Sequence, residues 1–329
     1  MKLACRIAVL VSLLCLGWSA LATSKPGIKV YCSVGEPLGL VYRDLGRGTE
    51  ERLFTDAVLQ ALGSRDGLLA VLRPGALVVY RRGIRLQTLK VNDTQVELVG
   101  WLPGALIYRD AAGLHALDLV TGRRRSAGLP PNTVAVVSFS HGTVAVCQSG
   151  PVITITISQS THPKRRRIRI RGWYYPPGQT PVVIGTRYVV IMEWPFVSGT
   201  PDATGPSRLL VVDLRSATAR PLGRLDLDMG YCQGRTGREL LGGTPVRAHV
   251  PGETQATDIA CIDIPTLRYA TLFRVSGQVE VVGLTTDRKQ LLTVRTKHSV
   301  GPGTLILSSF PGGQVRATRE NVYECWPAD

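Results

Sequence analysis

The residues best suited to chemistry stand together at Lys164-Arg165-Arg166-Arg167-Ile168-Arg169-Ile170-Arg171, followed by Gly172-Trp173-Tyr174-Tyr175-Pro176-Pro177. In an extended strand Arg167, Arg169 and Arg171 share one face, and Ile168 and Ile170 share the other. A row of planar guanidinium forks matches phosphate or sulfate groups, and neighbouring aromatics offer faces for sugar rings or bases. Lys164, Arg165, Arg166, Arg167, Arg169, Arg171, Trp173 and Tyr174 are therefore the candidate polyanion-binding residues. The same pattern also suits an outer strand kept soluble by arginine, with Trp173 and the tyrosines packed between sheets.

Catalytic constellations are not legible, and no catalytic residue is nominated. The chain has no GxSxG elbow, HExxH, P-loop or GxGxxG. Its histidines, His115, His141, His162, His249 and His298, are scattered singly. Asp226 and Asp228 lie on one face of a short strand, a spacing that suits an acidic loop edge better than a Ca²⁺ site. Asp118 and Asp213 are expected to accept backbone N–H bonds in turns. No metal site and no cofactor are expected.

Composition places these residues in an exported chain. Lys2 and Arg6 precede an apolar run from Ile7 to Leu16, and Ala20-Leu21-Ala22 supplies small residues, so residues 1–22 are expected to be a signal peptide cleaved after Ala22. The stretch from Ile7 to Ala22 falls short of the roughly 20 residues that a membrane-crossing helix needs. No later apolar run reaches that length, so the mature chain, 23–329, is read as one domain without a transmembrane segment, secreted or periplasmic. Lys and Arg number 39 against 24 Asp and Glu, for a net charge of +15, and most of the cations are Arg. That balance favours anionic partners, although arginine on exposed strands also serves solubility. Asn92-Asp93-Thr94 meets the N-glycosylation pattern and marks an exposed turn.

The elements that must position the arginine row are strands. Short β-branched and aromatic runs recur between Gly, Pro and Asp punctuation, and helical periodicity is almost absent. The one helix candidate, 50–62, fits a loop followed by a strand equally well. The clearest unit, 96–128, contains four strands whose reversals fall at Pro103-Gly104, Ala112-Gly113 and Thr121-Gly122. Similar units occupy 57–90, 133–172, 181–223, 229–274 and 279–320, a spacing expected of a solenoid, propeller or array. The segments Leu114-His115-Ala116-Leu117-Asp118-Leu119 and Leu209-Leu210-Val211-Val212-Asp213-Leu214 both read as an apolar strand ending Asp-Leu before a polar turn. This pattern resembles the outer blade strands of secreted WD40-like, TolB-like and YVTN-type β-propellers. Neither the Gly-His…Trp-Asp signature of true WD40 repeats nor the Trp-Ser-Pro-Asp-Gly signature of TolB repeats is present.

The two ends of the repeat region complement each other. Ile28–Ser33, Gly39–Asp44 and Glu50–Phe54 make three strands, one short of a blade, and Val322–Trp326 is a strand without one. Pairing them removes two exposed edges. The fold expected is an all-β propeller, a ring of seven four-stranded blades with six as the alternative, closed by the C-terminal strand; a β-sandwich pair is the second architecture. Removing Cys5 and Cys15 with the signal leaves five cysteines. Cys32 and Cys325 then fall on neighbouring strands, and Cys232 and Cys261 within one blade, so disulfides 32–325 and 232–261 are expected, with Cys147 free and buried.

The functional expectation is a binding or scaffold module whose partner is a protein or an anionic surface polymer. Export disfavours nucleic acid as the partner. The alternatives are a propeller-fold hydrolase or lyase acting on glycans, with acids converging from separate blades, and a purely structural envelope protein.

Overall fold

The computed structural model describes residues 28–328 apart from 36–37, 65, 93–94, 160–161, 175–180, 198–199, 202–207, 223–229, 248–253, 286 and 297–301; at 162–164, 194–197, 200–201, 208, 247 and 254 it describes the backbone only. The segment 1–22 and the Asp226/Asp228 pair lie outside the described residues, as do His249 and His298. Among the described residues there is no α-helix. None is therefore long and apolar enough to cross a membrane.

The strands form successive antiparallel meanders. β1 (Lys29–Val34), β2 (Gly39–Asp44) and β3 (Thr49–Phe54) come first. They are followed by β4 (Gln60–Gly63), β5 (Leu68–Arg73), β6 (Ala76–Arg81) and β7 (Ile84–Lys90). The next group is β8 (Glu97–Leu102), β9 (Ala105–Asp110), β10 (Gly113–Asp118) and β11 (Arg124–Ser126). Then come β12 (Thr133–Phe139), β13 (Gly142–Ser149), β14 (Val152–Gln159) and β15 (His162–Tyr174). In the group after that, β16 (Val182–Ile184) pairs with β17 (Tyr188–Val197), which also carries the short β18 (Thr200–Pro201) and continues to β19 (Arg208–Asp213) and β20 (Thr218–Pro221). β21 (Tyr231–Gln233), β22 (Glu239–Arg247), β23 (Thr254–Asp263) and β24 (Arg268–Ser276) follow. β25 (Gln278–Leu284), β26 (Gln290–Thr296), β27 (Gly303–Ser309) and β28 (Val315–Pro327) end the chain.

The reversals fall where small and acidic residues permit them. Gly104 and Gly122 have φ of +71° and +68°, a conformation that costs glycine nothing and side-chain-bearing residues more. Asp118 Oδ1 accepts the amides of Val120 and Thr121, and Asp213 Oδ1 those of Arg215 and Ser216, so both Asp-Leu motifs close turns. The helix candidate over 50–62 is strand β3, a loop, and β4.

β28 serves two meanders. Its first half pairs with β27, with Thr318 opposite Ile306, while its second half pairs with β1, with Cys325 opposite Cys32 and Trp326 opposite Tyr31. The chain changes partner around Asn321, whose φ is +60°. The fourth strand missing from the N-terminal meander is thus supplied by the C-terminal segment.

Buried side chains form clusters between successive meanders. Leu77 and Val79 pack with Leu98 and Tyr108; Val99 and Ile107 pack with Val136 and Ala145; Ile153 and Ile155 pack with Val189 and Leu210. The series continues with Val190 against Leu240, Leu241 against Val279, Leu292 against Val41, and Tyr31 against Leu69. Leading strands also lie side by side: β4 by β8, β8 by β12, β12 by β16, β16 by β21, β21 by β25, and β25 by β28. Trp326 of β28 lies against Gly63 of β4. A two-sheet sandwich would share one core between two faces, whereas here each cluster joins a different pair of meanders.

All five described cysteines are free thiols. The expected 232–261 bridge is corrected by register: Leu241 of β22 stands between Cys232 and Cys261. Two strand spacings separate their Cα atoms by roughly 9–10 Å, beyond the ~7 Å limit for a disulfide. Cys32 and Cys325 do face each other, and Cys147 is buried with its sulfur 3.4 Å from Thr133 Oγ1.

Candidate functional site

β15 separates its two faces as the alternation of residues requires. Ile168 and Ile170 stand opposite Ile155 and Ile153 and pack on the core shared with β17 and β19. Arg165, Arg167, Arg169 and Arg171 are exposed. Alternate residues on a strand are spaced by about 6.7 Å, so the row from Arg165 to Arg171 runs roughly 20 Å.

What lies across the ladder from this row distinguishes it. Arg167 stands opposite Thr156 and Arg169 opposite Thr154. Arg165, Arg167 and Arg169 have neither ion pair nor side-chain hydrogen bond among the described residues. Other strand arginines have carboxylate partners: Arg43 meets Glu50 at 2.7 Å, Arg274 meets Asp258 at 2.6 Å, and Arg109 meets Glu97. Those pairs spend their guanidinium forks within the protein, whereas Arg165, Arg167 and Arg169 keep theirs facing solvent.

The remaining candidates divide. Arg166 lies on the opposite face from the row, where its guanidinium donates to the carbonyls of Leu214 and Arg215 and to Gln159 Oε1. It ties β15 to the turn before β20 and is a structural residue. Trp173 is half-buried, with its indole nitrogen fully enclosed and without an acceptor among the described residues. Tyr174 packs against the same apolar core, and burial pushes its hydroxyl well above the ordinary tyrosine range. Strand β17 pairs with the end of β15 at Gly172–Tyr174, and both aromatics are half-buried there. The Lys164 and His162 side chains and residues 175–177 lie outside the described residues.

Two groupings escaped sequence reasoning. His115 Nε2 lies 2.9 Å from Asp110 Oδ1 and 2.6 Å from an Arg124 guanidinium nitrogen, while Arg124 sits 5.9 Å above the Tyr108 ring. Desolvation opposes ionisation of Asp110, but bonds from the Ala112 amide and His115, with the Arg124 charge, hold its carboxyl below the usual range. The network spans the adjacent strands β9, β10 and β11, and it pins their register. Asp110, 5 positions before His115, was the only sequence cue to it.

The second grouping brings Glu280 of β25 toward Glu324 of β28. Burial first, and the charge of Glu324 second, push the Glu280 carboxyl above the ordinary range; burial does the same to Glu324. Both residues are nonetheless exposed to solvent. A carboxyl raised in the folded state stabilises below its unfolded pKa, and that contribution is lost as pH rises through the folded value. Glu280→Gln is therefore expected to melt slightly above the parent at neutral pH, solvent screening keeping the gain small, and the gain vanishes toward pH 4. Scanning fluorimetry between pH 4 and 8 checks it; a gain independent of pH contradicts the assignment.

Among the described residues no group of three or more His, Cys, Asp or Glu side chains is placed to hold a metal. Burial pushes the Cys232 thiol up to about 12 and the Cys261 thiol up to about 11, so neither supplies thiolate at neutral pH.

No family model matches the chain, and no curated protein matches it. Solved structures do. A putative 6-phosphogluconolactonase from Bacteroides uniformis aligns with a TM-score of 0.56 at 11% identity over 93% of this chain and 99% of its own. An oligogalacturonate lyase in complex with manganese aligns with a TM-score of 0.53 at 12% identity over 88% of this chain and 84% of its own. A eukaryotic initiation factor aligns with a TM-score of 0.52 at 12% identity over 93% of this chain and 99% of its own. The lactonase and the lyase are propeller-type folds, and this chain shares that all-β, propeller-like architecture. Identity this low carries the fold and not the chemistry.

Proposed function

We propose that the chain is an exported propeller, a single domain over 23–329 freed of residues 1–22, which acts as a binding module for a linear anionic polymer in a secreted or periplasmic setting. Seven blades are read from the meanders, the first completed by the second half of β28. The succession of core clusters and of leading strands, ending with Trp326 against Gly63, supports closure into a ring.

The observation that carries the binding reading is the solvent-facing row Arg165, Arg167 and Arg169, in which Arg167 and Arg169 stand opposite threonines where other strands oppose arginine with acid. Rigid strand backbone holds these cations at regular intervals along one line. Phosphate or sulfate groups on a flexible polymer can meet them in succession through charge-assisted, bidentate bonds. The lactonase and lyase neighbours show that such scaffolds host enzymes, but their activities are not carried over to this chain.

The test is the triple variant in which Arg165, Arg167 and Arg169 become Ser. If each exposed contact is worth about 0.5–1 kcal/mol, affinity for heparin falls roughly 10- to 150-fold, and elution from a heparin column moves to lower salt. Arg274→Ser, which removes a cation already paired with Asp258, serves as the control and is expected to elute close to the parent. Equal retention of the parent and the triple variant rejects the row as the binding surface.

A further inference from the structure

We infer that Cys32 and Cys325 are a thiol–disulfide latch that locks the last strand of the fold to the first. The two residues are directly opposed in the antiparallel pair of β1 and β28. Opposed residues in such a ladder have Cα atoms about 4.5–5.5 Å apart, within the range that a disulfide spans. Cys32 is fully buried and Cys325 is 8% exposed, both in the cluster formed by Val30, Val41, Leu292 and Val322. No other described cysteine competes for this position: Cys147 lies on β13, Cys232 on β21 and Cys261 on β23.

The chemistry is an exchange with a low-molecular-weight disulfide such as oxidised glutathione. Cys32 and Cys325 give up two electrons and two protons and gain one S–S bond; the oxidant's S–S bond breaks and its two halves leave as thiols. Burial holds the Cys325 thiol protonated, and a buried sulfur is also out of an oxidant's reach. The bond therefore forms while the second half of β28 is undocked and is shielded from reductant once that segment is seated. It closes a loop containing nearly the whole chain, the arrangement in which a cross-link most restricts the unfolded state. The latch does not depend on the polyanion reading.

The experiment compares the wild-type chain refolded with oxidised glutathione and with dithiothreitol, using non-reducing peptide mapping and thermal melting. The expected result is a linked peptide containing Cys32 and Cys325 and a melting temperature roughly 10 °C above that of the reduced form. Cys32→Ala and Cys325→Ala each remove that difference, while the double change Cys232→Ala and Cys261→Ala leaves it. A map lacking the 32–325 link, or a link that leaves melting unchanged, overturns the latch. Because the wild-type comparison uses no substitution, a variant that fails to fold does not obscure the outcome.

Discussion

Removal of residues 321–329 is expected to lower the melting temperature by about 15 °C or more, or to abolish cooperative melting. Val322 and Ala328 are fully buried and Cys325 is nearly so. Trp326 seats against Gly63, and the Glu324 amide donates to Ser33 Oγ. Losing this segment re-exposes apolar surface worth about 5 kcal/mol or more and leaves the β1 edge unpaired. The loss is comparable with the 5–15 kcal/mol that holds a typical domain together. Circular dichroism melting checks it, and a truncated chain that melts with the parent removes the structural role assigned to β28.

Gly100→Val is expected to cost about 3 kcal/mol or more and to lower the melting temperature by roughly 10 °C. Gly100 is where β8 meets β12, in a parallel pair with Val136. A Cβ there would overlap the Val136 carbonyl oxygen and crowd its backbone nitrogen and carbon. All three of the atoms met are backbone atoms of Val136, so no flexible side chain can yield. The ladder between β8 and β9 also shifts register between Leu98 and Gly100, and such an irregularity bends a strand toward its neighbour. Chemical denaturation of Gly100→Ala and Gly100→Val should rank both below the parent, whereas substitution at Gly104, with nothing near its Cβ position, should cost only the strain of its φ. Equal loss at the two sites would contradict the junction.

Much of this architecture was legible as local pattern. The unit 96–128 could be read because Gly104 and Gly122 mark its turns and because apolar residues alternate between them. Complementary ends, three strands at one and a lone strand at the other, anticipated the pairing of β1 with β28. Alternation likewise predicted that Ile168 and Ile170 face a core while Arg167 and Arg169 do not. Alternation does not say what stands across from a side chain. Arg166 therefore looked like one more surface cation, although its partners lie 48 and 49 positions away, and Trp173 looked accessible, although its indole nitrogen is enclosed. The 232–261 pairing failed for a related reason: both cysteines lie in one meander, but alternate strands of a meander are two spacings apart. Gly100 illustrates the limit most directly, since its role comes from a backbone 36 residues away.

The division of β28 between two meanders bears on how the protein is made. β1 leaves the ribosome early, yet one of its two hydrogen-bonding edges has no native partner until Val322–Pro327 has been synthesised. At about 5–20 residues per second that delay is roughly 15–60 s. Throughout this interval a strand carrying Val30, Tyr31 and Cys32, side chains that end fully buried, has an open edge available to other nascent chains. Production of this protein should therefore depend on a holding factor or on slow, dilute expression, because its earliest strand is the last to be protected.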